Sequence, residues 1–147
     1  MSSSSLTVIV LTFNESLHIE RCIRSLKKLT PNIIVVDSFS TDNTVALAEK
    51  EGAVVYQNKF INHATQLNWA LKNCNIQTEW TMKMDADEYL TDDLATEILT
   101  ILPTLKQSIT GLALNYRHYF WGRWIRYGTR YPLTLLRIWR TGYGFAD

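Results

Sequence analysis

Leu6-Thr7-Val8-Ile9-Val10-Leu11, followed by Thr12-Phe13-Asn14-Glu15, is a β-branched, nearly continuous apolar run that ends in polar residues. A run with so little alternation suits a strand covered on both faces, as in a parallel sheet, better than a strand with one wet face. Beyond it Ile19, Cys22, Ile23 and Leu26 recur at helical spacing, with Asn14 placed as N-cap and Glu15 in the first turn, where the helix dipole favours a carboxylate. The stretch is therefore a strand-loop-helix unit with polar groups gathered at the strand's carboxyl end.

The unit repeats downstream. Pro31 breaks the first helix, residues 33–36 form a second buried strand, and Asp37-Ser38-Phe39-Ser40-Thr41-Asp42-Asn43 leads into a helix that runs to about Glu51. Gly52 suits the C′ position of that helix, and residues 53–56 supply a third strand. Residues 62–72 read as a helix with Ala64, Leu67 and Leu71 on its apolar face, and with Gln66 and Asn68 facing away from that stripe or bordering it. An ordinary polar helix face accounts for those two equally well. Residues 80–84 then deliver Asp85-Ala86-Asp87-Glu88 into a loop ahead of a helix that starts near Asp92.

Strands alternating with helices imply right-handed crossovers and a parallel sheet, which takes its ligands outside the carboxyl ends of the strands. Asn14, Glu15, Asp37, Asp42 and the Asp85-Ala86-Asp87 loop all fall on that edge. On extended backbone, residues two apart point the same way, so Asp85 and Asp87 could offer oxygen ligands to one hard cation. The alternative is a solvated turn that caps the helix after it.

With 147 residues, 46% of them apolar, the chain suffices for one domain with a core. No apolar run approaches the roughly 20 residues needed to span a bilayer, and residues 1–5 lack the charged and apolar regions of a secretory signal. A cytoplasmic location is expected. Cys22 and Cys74 show no metal-ligand or redox spacing and read as reduced core thiols.

The net charge is only +1, which argues against nucleic-acid binding, but its distribution is uneven. Between Glu97 and Asp147 there is no acidic residue, while Lys106, Arg117, Arg123, Arg126, Arg130, Arg137 and Arg140 all fall there. Residues 133–139 read as a buried strand with its arginines on a solvated face. Residues 120–130 read as a loop whose exposed Trp121, Arg123, Trp124 and Arg126 suit docking at either the cytoplasmic membrane interface or an anionic, lipid-linked glycan.

Thr7-Val8-Ile9-Val10-Leu11-Thr12-Phe13-Asn14-Glu15, the stretch Ile33-Ile34-Val35-Val36-Asp37-Ser38-Phe39-Ser40-Thr41-Asp42-Asn43-Thr44, the element Gln66-Leu67-Asn68-Trp69-Ala70-Leu71, and Met84-Asp85-Ala86-Asp87-Glu88 together resemble the successive motifs of family 2 glycosyltransferases. The resemblance covers residues 6–90 in order and spacing. It implies the GT-A fold, a Rossmann-like three-layer α/β sandwich around a mainly parallel sheet. The chain would be a single domain over residues 1–147, with a nucleotide-binding half at about 6–90 and the start of an acceptor half at about 91–147. The Gln66 element and Phe120-Trp121-Gly122-Arg123-Trp124-Ile125-Arg126 are further similar to bacterial lipopolysaccharide-core glucosyltransferases.

Carried over by that resemblance, Thr12, Asn14 and Glu15 line the nucleotide pocket, Asp37 accepts a hydrogen bond from uracil, and Gln66 and Asn68 border the nucleotide-sugar site. Asp85 faces the ribose, and Asp87 holds a Mg²⁺ or Mn²⁺ that bridges the diphosphate. The implied reaction moves a hexose from a UDP-sugar to a glycan or lipid-linked acceptor such as lipopolysaccharide core, with inversion. The family's general base is an acid downstream of the Asp-X-Asp element, so a fragment is expected, with the base beyond Asp147. A nucleotidyltransferase would need a Gly-rich basic phosphate loop, and Thr12-Phe13-Asn14-Glu15 is acidic and lacks glycine. A non-catalytic nucleotide- or glycan-binding module is the alternative that the missing base permits.

Overall fold

Every residue of β1 (Leu6–Thr12) is buried, as its continuous apolar pattern requires of a strand covered on both faces. The computed structural model describes residues 5–116, 118–120, 123–125 and 133–144. After β1 come α1 (Ile19–Lys27), β2 (Ile33–Asp37), α2 (Thr44–Lys50), β3 (Val54–Gln57), α3 (His63–Asn73), β4 (Trp80–Asp85) and α4 (Asp92–Ile101), with a 3-10 turn at Leu102–Thr104. The chain then turns to strands: β5 (Gly111–Tyr116), β6 (His118–Phe120), β7 (Arg123–Ile125) and β8 (Leu133–Arg140).

Six strands form one sheet in the order β3-β2-β1-β4-β8-β5. β1 to β4 are parallel, whereas β8 runs antiparallel to both β4 and β5. The expected mixed α/β architecture with a mainly parallel sheet is what the chain adopts. Leu6, Val8 and Val10 point to one face and pack with Ile19, Ile23, Ala48 and Ile98 from α1, α2 and α4. Ile9 and Leu11 point to the other and pack with Leu67 and Ala70 of α3. Alternate side chains of one strand thus hold two helical layers apart, which makes three layers. Register aligns the strand ends that matter: Thr12 pairs with Asp37, and Leu11 with Asp85.

Gly52 has φ 93, the left-handed conformation expected just past α2. Next to it Glu51 is buried and receives Arg24 and Lys27, each at 2.8 Å. Hydrogen bonds from Lys27 and then Arg24 hold its carboxyl below the ordinary value of 4.5. The stability this carboxylate contributes is present above its unfolded value and lost as pH falls through the lowered one. Glu51→Gln should therefore lower the melting temperature at pH 7 and leave it nearly unchanged at pH 2, a comparison thermal melts make directly.

Three expectations require correction. α1 begins at Ile19 with His18 at its N-cap position, so Asn14 does not cap it. The Glu15 carbonyl accepts from both His18 N and Ile19 N, at 3.0 and 2.9 Å, which places a tight turn between Asn14 and the helix. Second, Gln66 is not part of an ordinary polar helix face: it borders the apolar stripe of α3, 1% exposed beside Leu67 and Ala70. Its amide is tied to groups on two loops, and that satisfies the polar atoms inside.

Third, Arg137 and Arg140 are not on a solvated face. β8 is an interior strand between β4 and β5, so its carboxyl half is covered and both arginines are buried. Arg140 donates to the Ile109 and Lys106 carbonyls at 2.7 and 3.1 Å, pairs with Glu79, and lies 4.3 Å over the Trp80 ring. Within residues 120–130, Arg123–Ile125 is strand β7, paired with β6 through Tyr119 and Trp124. The docking role expected of Trp121, Arg123, Trp124 and Arg126 rests on side chains outside the described residues. No helix among the described residues is long and apolar enough to cross a membrane.

Candidate nucleotide-sugar site

The carboxyl ends of β1, β2 and β4 open onto a cavity of about 700 Å³, within the range of small-molecule sites. β1 contributes Leu11 and Thr12, with Phe13 and Glu15 from the loop after it. β2 contributes Ser38, the first residue beyond its end, and β4 contributes Asp85, Ala86 and Asp87. The remaining lining comes from Lys59 and Phe60 of the β3–α3 connection and from His63 and Gln66 of α3.

The two aspartates of the Asp-X-Asp loop are not equivalent. The Asp85 carboxylate sits 2.9 Å from Lys83 Nζ and 3.7 Å from Arg137 Nη2, so two cations already balance its charge. Its amide donates to Glu88 Oε1 at 2.7 Å, and Arg137 also reaches Glu88 at 3.5 Å, which folds the loop back on itself. Asp87 is exposed, and its carboxylate makes no hydrogen bond or ion pair among the described residues. α4 is capped by Thr91, whose hydroxyl accepts from Leu94 N at 3.3 Å, so the acidic loop is not that helix's cap.

Among the described residues no three His, Cys, Asp or Glu side chains come together as a metal cage. The donor set that does exist fits a hard divalent ion completed by a ligand's phosphates: one free carboxylate beside a charge-balanced one. Cys22 beneath the loop offers no thiolate. Its thiol is pushed up to about 12, first by burial and then by Glu88, Asp85 and Asp87, and it points at the Asp85 carbonyl at 3.8 Å.

Thr12, on the cavity wall, is 6% exposed, and its buried hydroxyl has no partner among the described residues. Glu15 reaches the cavity with one carboxylate oxygen bonded to His18 Nδ1 at 2.8 Å. Thr12, Glu15, Gln66, Asp85 and Asp87 are thus brought together. Asn14, Asp37 and Asn68 are not on the cavity wall. Asn14 has φ 50, and its carboxamide oxygen accepts from Thr41 N at 2.8 Å while its own N–H donates to Ser40 Oγ at 2.8 Å. Asp37 is wholly buried, with its carboxylate accepting from Ser40 N at 2.8 Å, from the Ser40 hydroxyl, and from Gln57 Nε2 at 3.3 Å. Asp42 accepts from Thr44 N at 3.0 Å ahead of α2, whose N-cap position is Asn43, and the Thr44 hydroxyl holds its carboxyl below the usual range.

Phe13, Ser38, Lys59, Phe60 and His63 are wall residues that the sequence reading did not single out. For Ser38 a signal existed: successive side chains leave a strand on opposite sides, so an inward Asp37 turns Ser38 toward the edge. For Lys59 and Phe60 there was none, because the path of a connection carries no periodicity, and for His63, at the start of α3, helical spacing does not say that it meets the cavity.

The sequence model of glycosyl transferase family 2 matches residues 7–145. A glycosyltransferase of Rickettsia conorii is 38% identical over 105 residues, 71% of this chain and 36% of that protein. The lipopolysaccharide core biosynthesis glycosyltransferase LpsC of Rhizobium meliloti is 31% identical over 122 residues, 80% of this chain and 44% of LpsC. The chain thus spans well under half the length of these relatives. Among solved structures, residues 1–349 of Staphylococcus aureus TarS with UDP-GlcNAc give a TM-score of 0.66 at 21% identity, over 92% of this chain and 45% of TarS. The Pyrobaculum calidifontis mannosyltransferase PcManGT, in complex with GDP-Man and Mn²⁺, gives 0.59 at 23% identity, over 76% of this chain and 35% of that one. Both likenesses concern the fold.

Proposed function

Because the chain belongs to glycosyl transferase family 2, we propose that it binds a UDP-sugar in the cavity at the carboxyl edge of its sheet and forms the donor half of a hexosyltransferase. The observation that carries this is the meeting, around one cavity, of a charge-balanced carboxylate at Asp85 with a carboxylate at Asp87 and a buried hydroxyl at Thr12 that have no partner among the described residues.

Each residue then has a task that its surroundings support. Phe13, half exposed on the wall, offers an aromatic face to a base. Glu15, steadied by His18, can accept from ribose hydroxyls, and Thr12 can reach the same sugar. Asp85, pinned by Lys83 and Arg137, faces the ribose side as a fixed acceptor, while Asp87 is left to hold Mg²⁺ or Mn²⁺. When bound there, that ion would neutralise the charge that builds on the diphosphate as it leaves the anomeric carbon. Lys59 and His63 also line the cavity, where Lys59 adds positive charge and both add hydrogen-bonding groups for the diphosphate. The ion assignment draws support from the Mn²⁺ in the complex of PcManGT, and the UDP assignment from the UDP-GlcNAc in that of TarS.

For the acceptor we propose a lipid-linked glycan of the lipopolysaccharide-core kind, transferred to with inversion. The similarity to LpsC and the basic, aromatic residues 117–140 support it.

Calorimetric titration of the chain with UDP, GDP and ADP, each with and without Mn²⁺, tests the donor reading. UDP should bind tightest and should gain from Mn²⁺. Equal affinity for all three nucleotides would remove the UDP assignment, and no binding of any would remove the donor site itself.

A further inference from the structure

Resting on the reading that Asp87 holds a divalent ion beside a nucleoside diphosphate, we infer that Arg137 of β8 and Lys83 of β4 are positioning residues for that ion. They withhold Asp85 and Glu88 from it, so the loop keeps a cation only when a diphosphate arrives with it.

The loop is a tight turn that carries Asp87 between Asp85 and Glu88. Glu88 N donates to the Asp85 carbonyl at 2.9 Å, and the N–H of the buried Ala86 donates to the Leu11 carbonyl at 3.2 Å, which anchors the turn to β1. Every oxygen of the two flanking carboxylates faces a cation or a donor. Lys83 Nζ lies 2.9 Å from Asp85 Oδ1, and the Asp85 N–H donates to Glu88 Oε1 at 2.7 Å. A single nitrogen, Arg137 Nη2, stands between the other two oxygens, 3.7 Å from Asp85 Oδ2 and 3.5 Å from Glu88 Oε2. Register brings the two cations together. Lys83 leaves β4 on the same side as Asp85, and Arg137 comes level with it because Ile138, the next residue of β8, pairs with Met82 in antiparallel sense.

The consequence is one of charge. From α1, Arg21 donates to the Asp87 carbonyl at 3.3 Å, so the three carboxylates of the loop are matched by Lys83, Arg137 and Arg21. A divalent ion entering alone would give up water for one exposed carboxylate in a loop without net charge. That is a poor exchange for a hard cation that seeks several oxygen ligands. A diphosphate alters the balance, because it brings negative charge and oxygens of its own. Arg137 is 8% exposed at its side chain, so water does not screen it from Asp85 and Glu88 as it screens a surface pair. With either cation made neutral, the two flanking carboxylates become available to the ion as ligands.

The test is Mn²⁺ titration of wild type, Arg137→Met, Lys83→Met and Arg137→Lys, each without nucleotide and then with saturating UDP, beside a thermal melt that reports folding. Wild type should hold Mn²⁺ weakly alone and far more tightly with UDP. Arg137→Met and Lys83→Met should each bind Mn²⁺ alone about tenfold more tightly than wild type, the scale of removing one unit charge near a divalent ion in water. UDP should then raise that affinity by a smaller factor. Arg137→Lys, which keeps the charge, should stay close to wild type. A purely structural role has the opposite sign, since a loosened loop loses ions rather than gaining them. Methionine variants that fold and bind Mn²⁺ alone no more tightly than wild type would overturn the inference and leave the donor site standing, and if Arg137→Met does not fold, Lys83→Met decides. Failure of the wild-type chain to bind UDP with Mn²⁺ would overturn both.

Discussion

Asp87→Ala is expected to abolish the Mn²⁺ dependence of UDP binding and, in a transfer-competent protein, to slow sugar transfer by roughly 100-fold or more, the scale of losing one preorganised stabiliser of a developing charge. The fold should be untouched, since the Asp87 side chain is exposed and its carboxylate supports no bond among the described residues. Asp85 cannot take its place without leaving Lys83 at 2.9 Å and the buried Arg137 at 3.7 Å. Calorimetry with and without the ion, beside a thermal melt, separates binding from stability. If the Mn²⁺ enhancement survives in Asp87→Ala, the ion is held elsewhere.

The second large effect is structural. Arg140→Met should cost about 3 kcal/mol of stability, because the Ile109 carbonyl loses its guanidinium donor and the Lys106 carbonyl keeps only the bond from Ile109 N. Methionine fills the space beside Trp80 but donates nothing to the Ile109 and Lys106 carbonyls. Glu79 is 55% exposed at its side chain and hydrates when released, so Glu79→Gln should cost well under 1 kcal/mol. Chemical denaturation of the two variants checks the contrast. Equal losses would place the energy in the ion pair rather than in the carbonyls.

The parallel half of the fold was legible because burial on both faces leaves a plain signature. β1, β2 and β4 are apolar runs, and α1 announces itself through Ile19, Cys22, Ile23 and Leu26. What could not be read was where β8 would go. Its apolar pattern marks a strand, but nothing in it says that the strand slots between β4 and β5, and so that two arginines must be buried. The same limit shows at the site. Polar residues at strand ends were correctly gathered on one edge, yet which of them face the cavity depends on single loop dihedrals. Asn14 at φ 50 is turned into a tie between loops, and Asp37 is turned inward while Ser38, one residue on, meets the cavity.

The late insertion of β8 also bears on how the chain is made. Its partners Trp80, Thr81 and Met82 on β4 are synthesised about 60 residues ahead of Arg140, Trp139 and Ile138. At ordinary ribosomal rates that interval lasts on the order of 3 to 10 seconds. During it a nascent sheet of β1 to β4 presents the bare hydrogen-bonding edge of an apolar strand, the sort of surface on which strands of other chains can add. The antiparallel strand that closes the sheet is therefore also its seal against aggregation, and release of a chain that stops before residue 133 would leave that edge open for good.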